Sequence, residues 1–382
     1  MPPQPQWFKE LWGFQELSSF NGNREKFRMD GDMMLLCDSA PPDARAMKVG
    51  EFSTPSLAEL RAELAAADGR GGVAAAAADG SGGDGGGGLI FTHLVDPVGV
   101  ASLIADPANA DAVFQAASQF NCLEMVGPGV SPARGIAGYA NDPTQGPKCA
   151  LACPAGTVFR NYLCFEGKGQ NKMQIDCLKD VGVVVGNKKE AIWKMQNGYS
   201  LPTTPKTMGE LGRRLDADPA LVEEAEAALR VGVHWSTSVK PPGAHEVAQV
   251  YASAVPVAYA KSTKSKDWEP FARLVLRATY DATLAAARVK ALREGRERVT
   301  VFLTCLGGNA FGNRVGWIND GISTALERHR EAPLDVVLVH YGSTVKSEYK
   351  KLRAPKARPR AAGSGAAAVV ALADADDGDG GG

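Results

Sequence analysis

Two stretches of this 382-residue chain concentrate side chains that can do chemistry. The first is GGNAFGN, which runs Gly307, Gly308, Asn309, Ala310, Phe311, Gly312, Asn313 and follows the β-rich run 299–304. Glycines let backbone N–H groups converge on one point and approach a phosphate closely, and the helix that follows adds its positive end. A diphosphate is the natural guest. The second stretch, 119–146, reads QFNCLEMVGPGVSPARGIAGYANDPTQG and crowds amides, carboxylates, glycines and prolines into an otherwise apolar region. Gln119 and Asn121 can read the edges of an adenine or a ribose through paired donors and acceptors, and Phe120 offers a face for stacking. Glu124 and Asp142 lie in the same stretch.

Commoner chemistries fail on the residues themselves. Gly307 and Gly312 have the separation of a P-loop, but Asn313 and Arg314 stand where Lys and Ser/Thr belong. A dinucleotide fingerprint needs a second glycine where Asn309 stands, and the run 336–341 ends in His340 and Tyr341 with no ribose-binding acid. A bare strand-to-helix turn is the remaining alternative. His93, His234, His245, His329 and His340 are scattered without metal-ligand spacing, so no metal is expected. Ser118 and Cys122 adjoin the polar stretch but have no histidine near in sequence; a buried thiol is the plainer reading of Cys122.

The elements that must position these residues read as α/β. Apolar runs at 89–93, 181–185, 231–234, 299–304 and 336–341 predict strands buried on both faces. A helical pattern over 267–293 feeds the strand at 299. A second, over 315–330, lies between the glycine loop and the strand at 336, completing a strand, loop, helix, strand unit with a right-handed crossover. Ligands of such sheets bind at the carboxyl ends of strands, where the glycine loop sits.

Composition bounds the partners. Forty-two basic and 43 acidic residues leave a formal charge of −1, so no field is built for nucleic acid or anionic lipid, and a small or protein-borne ligand is expected. With 45% hydrophobic residues a large core is affordable without staples. The seven cysteines, odd in number and without paired CxxC spacing, read as reduced thiols. No apolar run reaches the roughly 20 residues of a membrane span, and MPPQPQWFKELWGF lacks a secretory layout, so a cytoplasmic or nuclear location is expected. The Ala/Gly/Asp run 65–88 predicts a flexible insertion, and 354–382 a disordered tail, leaving one elaborated domain over 1–353. Lys350, Lys351, Arg353, Lys356, Arg358 and Arg360 make that tail's start basic, as a solubilising tail or a localisation patch would be.

The segments AASQFNCLEMVGPGV, YANDPTQGPKCA with GTVFRNYL, NGYS, SAVPVAY and VFLTCLGGNAFGNRVGWI resemble an arginine-directed branch of the macrodomain ADP-ribosyl hydrolases. The similarity runs from about 49 to 342. It implies a three-layer α/β/α sandwich with a mixed central sheet and elaborated insertions. In macrodomains the first polar loop holds the distal ribose and the glycine loop the diphosphate. The matching positions are Asn121 and Glu124; Asp142, Thr144, Gln145 and Gly146; and Gly307, Gly308, Ala310, Phe311, Gly312 and Asn313. Asn309 replaces the third glycine of the family pattern, a type that still tolerates positive φ. The implied activity is hydrolysis of an N-glycosidic ADP-ribose link without a cofactor, with Glu124 and Asp142 as the catalytic carboxylates and an ADP-ribosylated protein as partner. A reader that binds ADP-ribose without cutting it, and a degraded scaffold that binds another protein, are the alternatives.

Overall fold

The computed structural model of the chain describes residues 5–31, 33–75, 88–241 and 243–355. Among them seven strands make the central sheet: β1 (Phe52–Ser53), β2 (Ile90–Asp96), β3 (Val113–Ser118), β4 (Gly232–Ser238), β5 (Glu246–Ser253), β6 (Val299–Leu303) and β7 (Leu334–Tyr341). Their spatial order is β1-β4-β5-β3-β6-β7-β2. The run β5-β3-β6-β7-β2 is parallel throughout, whereas β4 is antiparallel to both its neighbours. The sheet is therefore mixed.

Helices cover it on both sides. Gln115 of β3 donates from Nε2 to Thr283 Oγ1 at 2.8 Å, on the helix Glu269–Glu294. Gln249 of β5 donates to Cys149 O at 2.9 Å, on the helix Gln145–Ala152. In register Gln249 faces Phe114, the residue before Gln115, so the two glutamines point to opposite faces of the sheet. The result is the expected α/β/α sandwich. Helix Glu269–Glu294 starts with Pro270 in its first turn and stops at Gly295 in the left-handed region. It is buried on nearly all sides, because helices Leu57–Ala75, Thr207–Ala217, Pro219–Ala228 and Val315–Arg328 pack around it.

Several sequence expectations change. The run at 181–185 lies mostly in a helix, Lys179–Val184: Val181 and Val185 are buried four residues apart while Val183 faces solvent, so tertiary packing overrides valine's strand preference. The strand at 89–93 is the sheet edge, not a doubly covered strand, and Ile90 is half exposed; β7 beside it alternates buried with half-buried residues. The central strand β3 and its neighbour β5 gave little signal, since VFQAAS and EVAQVYAS dilute their apolar residues with Gln, Ala and Ser. The insertion expected from 65 begins instead as the last part of helix Leu57–Ala75, whose start is secured by Ser56 and Glu59 exchanging side-chain to backbone bonds as a capping box. Residues 76–87, and 356–382 of the expected tail, lie outside the described residues.

A second hydrophobic cluster joins the amino-terminal segment to the polar stretch. Phe8, Trp12, Phe27, Leu35 and Met47 pack with Leu123, Tyr139, Val158 and Tyr162. The polar stretch is thus clamped between the sheet and this amino-terminal cap.

Candidate functional site

A cavity of about 430 Å³ opens at the carboxyl ends of the parallel strands. Its walls come from Asp96 at the end of β2, Ser118 at the end of β3 and Gln119 after it, Ala254 after β5, 304–311 after β6, and His340 and Tyr341 of β7. This is where an open parallel sheet places a ligand, because the strand order changes direction there.

Leaving β3, the chain turns tightly. Gln119 N donates to Leu123 O and Cys122 N to Gln119 O, with Cys122 at φ 60°. The side chains finish the turn: Asn121 Oδ1 accepts from Leu123 N at 3.2 Å, and Gln119 Oε1 accepts from Met125 N at 2.8 Å. Glu124 is thereby aimed inward. It lines the cavity at 3% exposure, and its Oε1 is buried without a hydrogen-bond partner. Burial pushes its carboxyl well above the ordinary range; the charge of Arg160 and the Ser118 hydroxyl oppose the rise, and Asp142 and Cys122 add to it.

Arg160, within the GTVFRNYL segment, belongs to neither of the two stretches that concentrate chemical side chains. It sits on a single π-helical turn, Phe159–Leu163, fully buried. Nε donates to Cys122 O at 2.9 Å, Nη2 to Thr157 Oγ1 at 3.1 Å, and the guanidinium lies 3.5 Å from the centre of the Tyr251 ring. A fixed cation therefore underlies the Glu124 turn. A lone arginine inside an apolar helical run was the available signal.

Asp142 follows the 3-10 turn Ala137–Asn141 and is half-buried on the cavity wall. Its Oδ1 accepts from Thr144 N at 2.9 Å and Thr144 Oγ1 at 2.6 Å. Thr144 begins the helix Gln145–Ala152. Gln145 extends the sheet with its side chain, accepting from Ala117 N and donating to Gln115 O, both at 2.8 Å. Its amide is thus consumed by the fold. A Cβ on Gly146 would lie 1.7 Å from Ala117 O and 2.4 Å from Glu124 Oε2, so only glycine lets this helix pack against strand and carboxylate together.

In the glycine loop the left-handed backbone falls on Gly307 (φ 68°) and Gly312 (φ 73°), not on Asn309, so the departure from the family pattern sits where glycine is not required. Asn313 braces the loop from behind: Nδ2 donates to Val255 O at 2.8 Å, and its backbone N donates to Gly307 O at 2.9 Å. Phe311 stands against Tyr199 and Tyr259, with ring centroids 5.4 and 5.6 Å away, and makes an aromatic wall.

The structure thus gathers Gln119, Glu124, Asp142, Thr144, Gln145, Gly146, Gly307, Gly308, Asn309, Ala310 and Phe311 around one cavity. Four others do not line it. Phe120 is buried in the main hydrophobic cluster and offers no face for stacking, and Asn121 is fully buried with its amide turned to Gln174 and Leu123. Gly312 and Asn313 shape the glycine loop instead of facing its concave side. The pattern of residue types could not tell lining from bracing.

The far end of the cavity is lined by Asp96, His340 and Tyr341, which no motif in the sequence marks as ligand-binding. Asp96 Oδ1 accepts from Val98 N at 2.9 Å while its buried Oδ2 has no hydrogen-bond partner. Tyr341 is 71% exposed, and Lys148 Nζ lies 4.8 Å from its ring centre. His340 and His93, on adjacent strands, share a 2.9 Å contact, and burial, His93 and Lys346 push His340 down to about 4. Cys305 is pushed up to about 11 by burial and is no ready nucleophile. Ser118 Oγ donates to Gln119 O, and Cys122 is fully buried, 3.7 Å from Cys177 Sγ. Among the described residues no three His, Cys, Asp or Glu side chains are grouped to hold a metal ion, and no helix is long and apolar enough to cross a membrane.

No family model and no curated protein matches the chain. Among solved structures it is similar to poly(ADP-ribose) glycohydrolase from Thermomonospora curvata, at 12% identity and a TM-score of 0.37 over 84% of this chain and 93% of that one. It is likewise similar to poly(ADP-ribose) glycohydrolase from Deinococcus radiodurans in complex with ADP-ribose, at 11% identity and a TM-score of 0.40 over 87% of this chain and 94% of that one. Likeness at this level carries no inference about what this chain binds or cuts.

Proposed function

We propose that the cavity binds ADP-ribose and that the protein hydrolyses the N-glycosidic link joining ADP-ribose to a protein side chain, with arginine-linked ADP-ribose as the preferred substrate. The observation that carries the reading is Glu124: a buried carboxyl with an unpartnered oxygen, facing the same cavity as a glycine loop. A buried carboxyl left without a protein partner is costly unless a ligand uses it.

The cavity suits the parts of the ligand in order. The exposed Tyr341 ring and the unpartnered Asp96 Oδ2 fit a purine face and its exocyclic amine. The backbone of 307–311 fits the diphosphate. The distal ribose then falls between Glu124 and Asp142. Burial favours the protonated form of Glu124, so it hands a proton to the departing nitrogen as the C–N bond breaks. Asp142, at the half-open side, orients water and takes the proton released as the new C–O bond forms on an oxocarbenium-like carbon. A guanidine leaving group adds its own reason for two carboxyl groups, since its planar fork pairs with them.

The test incubates the protein with arginine-linked and glutamate-linked ADP-ribosylated peptides and measures free ADP-ribose. Release from the arginine-linked peptide is expected, lost in Asp142→Asn while ADP-ribose still binds. Binding without release from either peptide would make the protein a reader. No binding at millimolar ADP-ribose would refute the site itself.

A further inference from the structure

Among its described residues the amino-terminal segment sends one acidic side chain into the protein, away from the cavity walls. Glu16 is 4% exposed. Its carboxylate is filled from three directions: Ile136 N donates to Oε1 at 2.8 Å, Ala137 N to Oε2 at 2.8 Å, and Tyr162 Oη to Oε1 at 2.6 Å. Asn23 in turn donates to Tyr162 Oη at 3.2 Å and ties back to Leu17 through both its amide atoms. Gly135 has φ 85°, and a Cβ there would lie 2.3 Å from Glu16 Oε2, so the backbone is brought against this carboxylate by a residue only glycine can be.

The segment Glu16 grips leads to both proposed carboxyl groups. Ile136 and Ala137 open the turn Ala137–Asn141; Tyr139 N donates to Ile136 O and Asp142 N to Tyr139 O. From the same turn Tyr139 Oη accepts the backbone N–H of Glu124 at 2.9 Å. Trp7, also amino-terminal, donates from Nε1 to Ala137 O at 2.9 Å. One buried carboxylate therefore sits at the head of two short paths, through Tyr139 to Glu124 and along the backbone to Asp142.

We propose that Glu16 is a positioning residue for the hydrolytic site: by accepting the N–H groups of Ile136 and Ala137 it holds the turn that sets Glu124 and Asp142 relative to each other. This rests on the assignment of Glu124 and Asp142 as the catalytic pair. The diphosphate loop and the purine end of the cavity belong to other elements, the segment after β6 and the ends of β7 and β2, and none of Glu16's hydrogen-bond partners lies in them. The proposal thus separates two measurable quantities, turnover and ADP-ribose affinity.

In Glu16→Gln one carboxylate oxygen becomes an amide donor facing a backbone N–H, so the turn loses an acceptor while the side chain keeps its size. Misplacing a reacting group by about 1 Å can cost on the order of 10²-fold. Turnover on arginine-linked peptide is expected to fall about tenfold to a hundredfold, with ADP-ribose affinity within about twofold of wild type. Tyr139→Phe, which removes only the acceptor for Glu124 N–H, is expected to show the same split, and the double variant to be no slower than the slower single. If Glu16→Gln proves insoluble, Tyr139→Phe carries the test alone. Turnover at the wild-type level in either folded variant, or turnover and affinity falling together, overturns the proposal. A wild type that hydrolyses neither linkage overturns the enzymatic reading beneath it.

Discussion

Replacing Glu124 by glutamine keeps the shape of a side chain that is 3% exposed and removes its ability to ionise. The structure dictates two consequences. The folded state holds the Glu124 carboxyl well above its ordinary value of 4.5, chiefly because burial penalises the charged form. Folded protein therefore keeps this proton over a pH range in which unfolded chain has released it. The stability contributed by the neutral carboxyl is complete below pH about 4.5 and is lost as pH rises toward the folded value, at about 1.4 kcal/mol per pH unit. Glutamine does not titrate, so Glu124→Gln should gain stability relative to wild type with rising pH, by that slope, until the folded carboxyl ionises. Turnover should meanwhile fall by about 10² to 10⁴, the usual worth of a general acid. The assay is urea unfolding of both proteins at pH 4.5, 5.5 and 6.5, beside single-turnover release of ADP-ribose. A stability difference that stays flat across these pH values would show that Glu124 is not desolvated. Wild-type turnover in the variant would remove it from the chemistry.

Three further outcomes follow from close contacts. Gly308→Val places a Cβ 3.0 Å from Ile318 Cδ1 and adds bulk to the cavity wall, so calorimetric titration should show ADP-ribose affinity at least about tenfold weaker, equivalent to about 1.4 kcal/mol. Gly146→Ala forces the helix Gln145–Ala152 away from Ala117 O and Glu124, and thermal unfolding should register about 1–3 kcal/mol of destabilisation together with lost turnover. Asp281, buried among Arg61, Arg328 and His329, is held below its usual range: burial alone would raise it, but the His329 and Arg61 contacts outweigh that. Its stabilisation is present above pH about 4 and lost as pH falls through its folded value. Asp281→Asn should cost about 3–5 kcal/mol at neutral pH in chemical unfolding and leave ADP-ribose affinity per folded molecule unchanged.

Local chemistry alone was enough to place much of this molecule. The β-rich run at 299 followed by GGNAFGN and a helical period specified a strand, glycine loop and helix, because each signal lies within a few residues and no distant contact competes with it. The long helix from 269 and the crowding of polar residues over 119–146 were legible for the same reason. Which of those polar residues face the cavity was decided only by tertiary structure. Gln145 and Asn121 carry the right groups but spend them on Ala117, Gln115, Leu123 and Gln174, partners that chain folding brings near. Val181 and Val185 look like strand until packing against the core selects a helix. Asp96, Tyr341 and Arg160 come from three separate elements, each with an ordinary local sequence, and Glu16 reaches its turn from 120 residues away. A residue's type states what it can bond to, whereas its partner and its exposure to water are properties of the assembled fold.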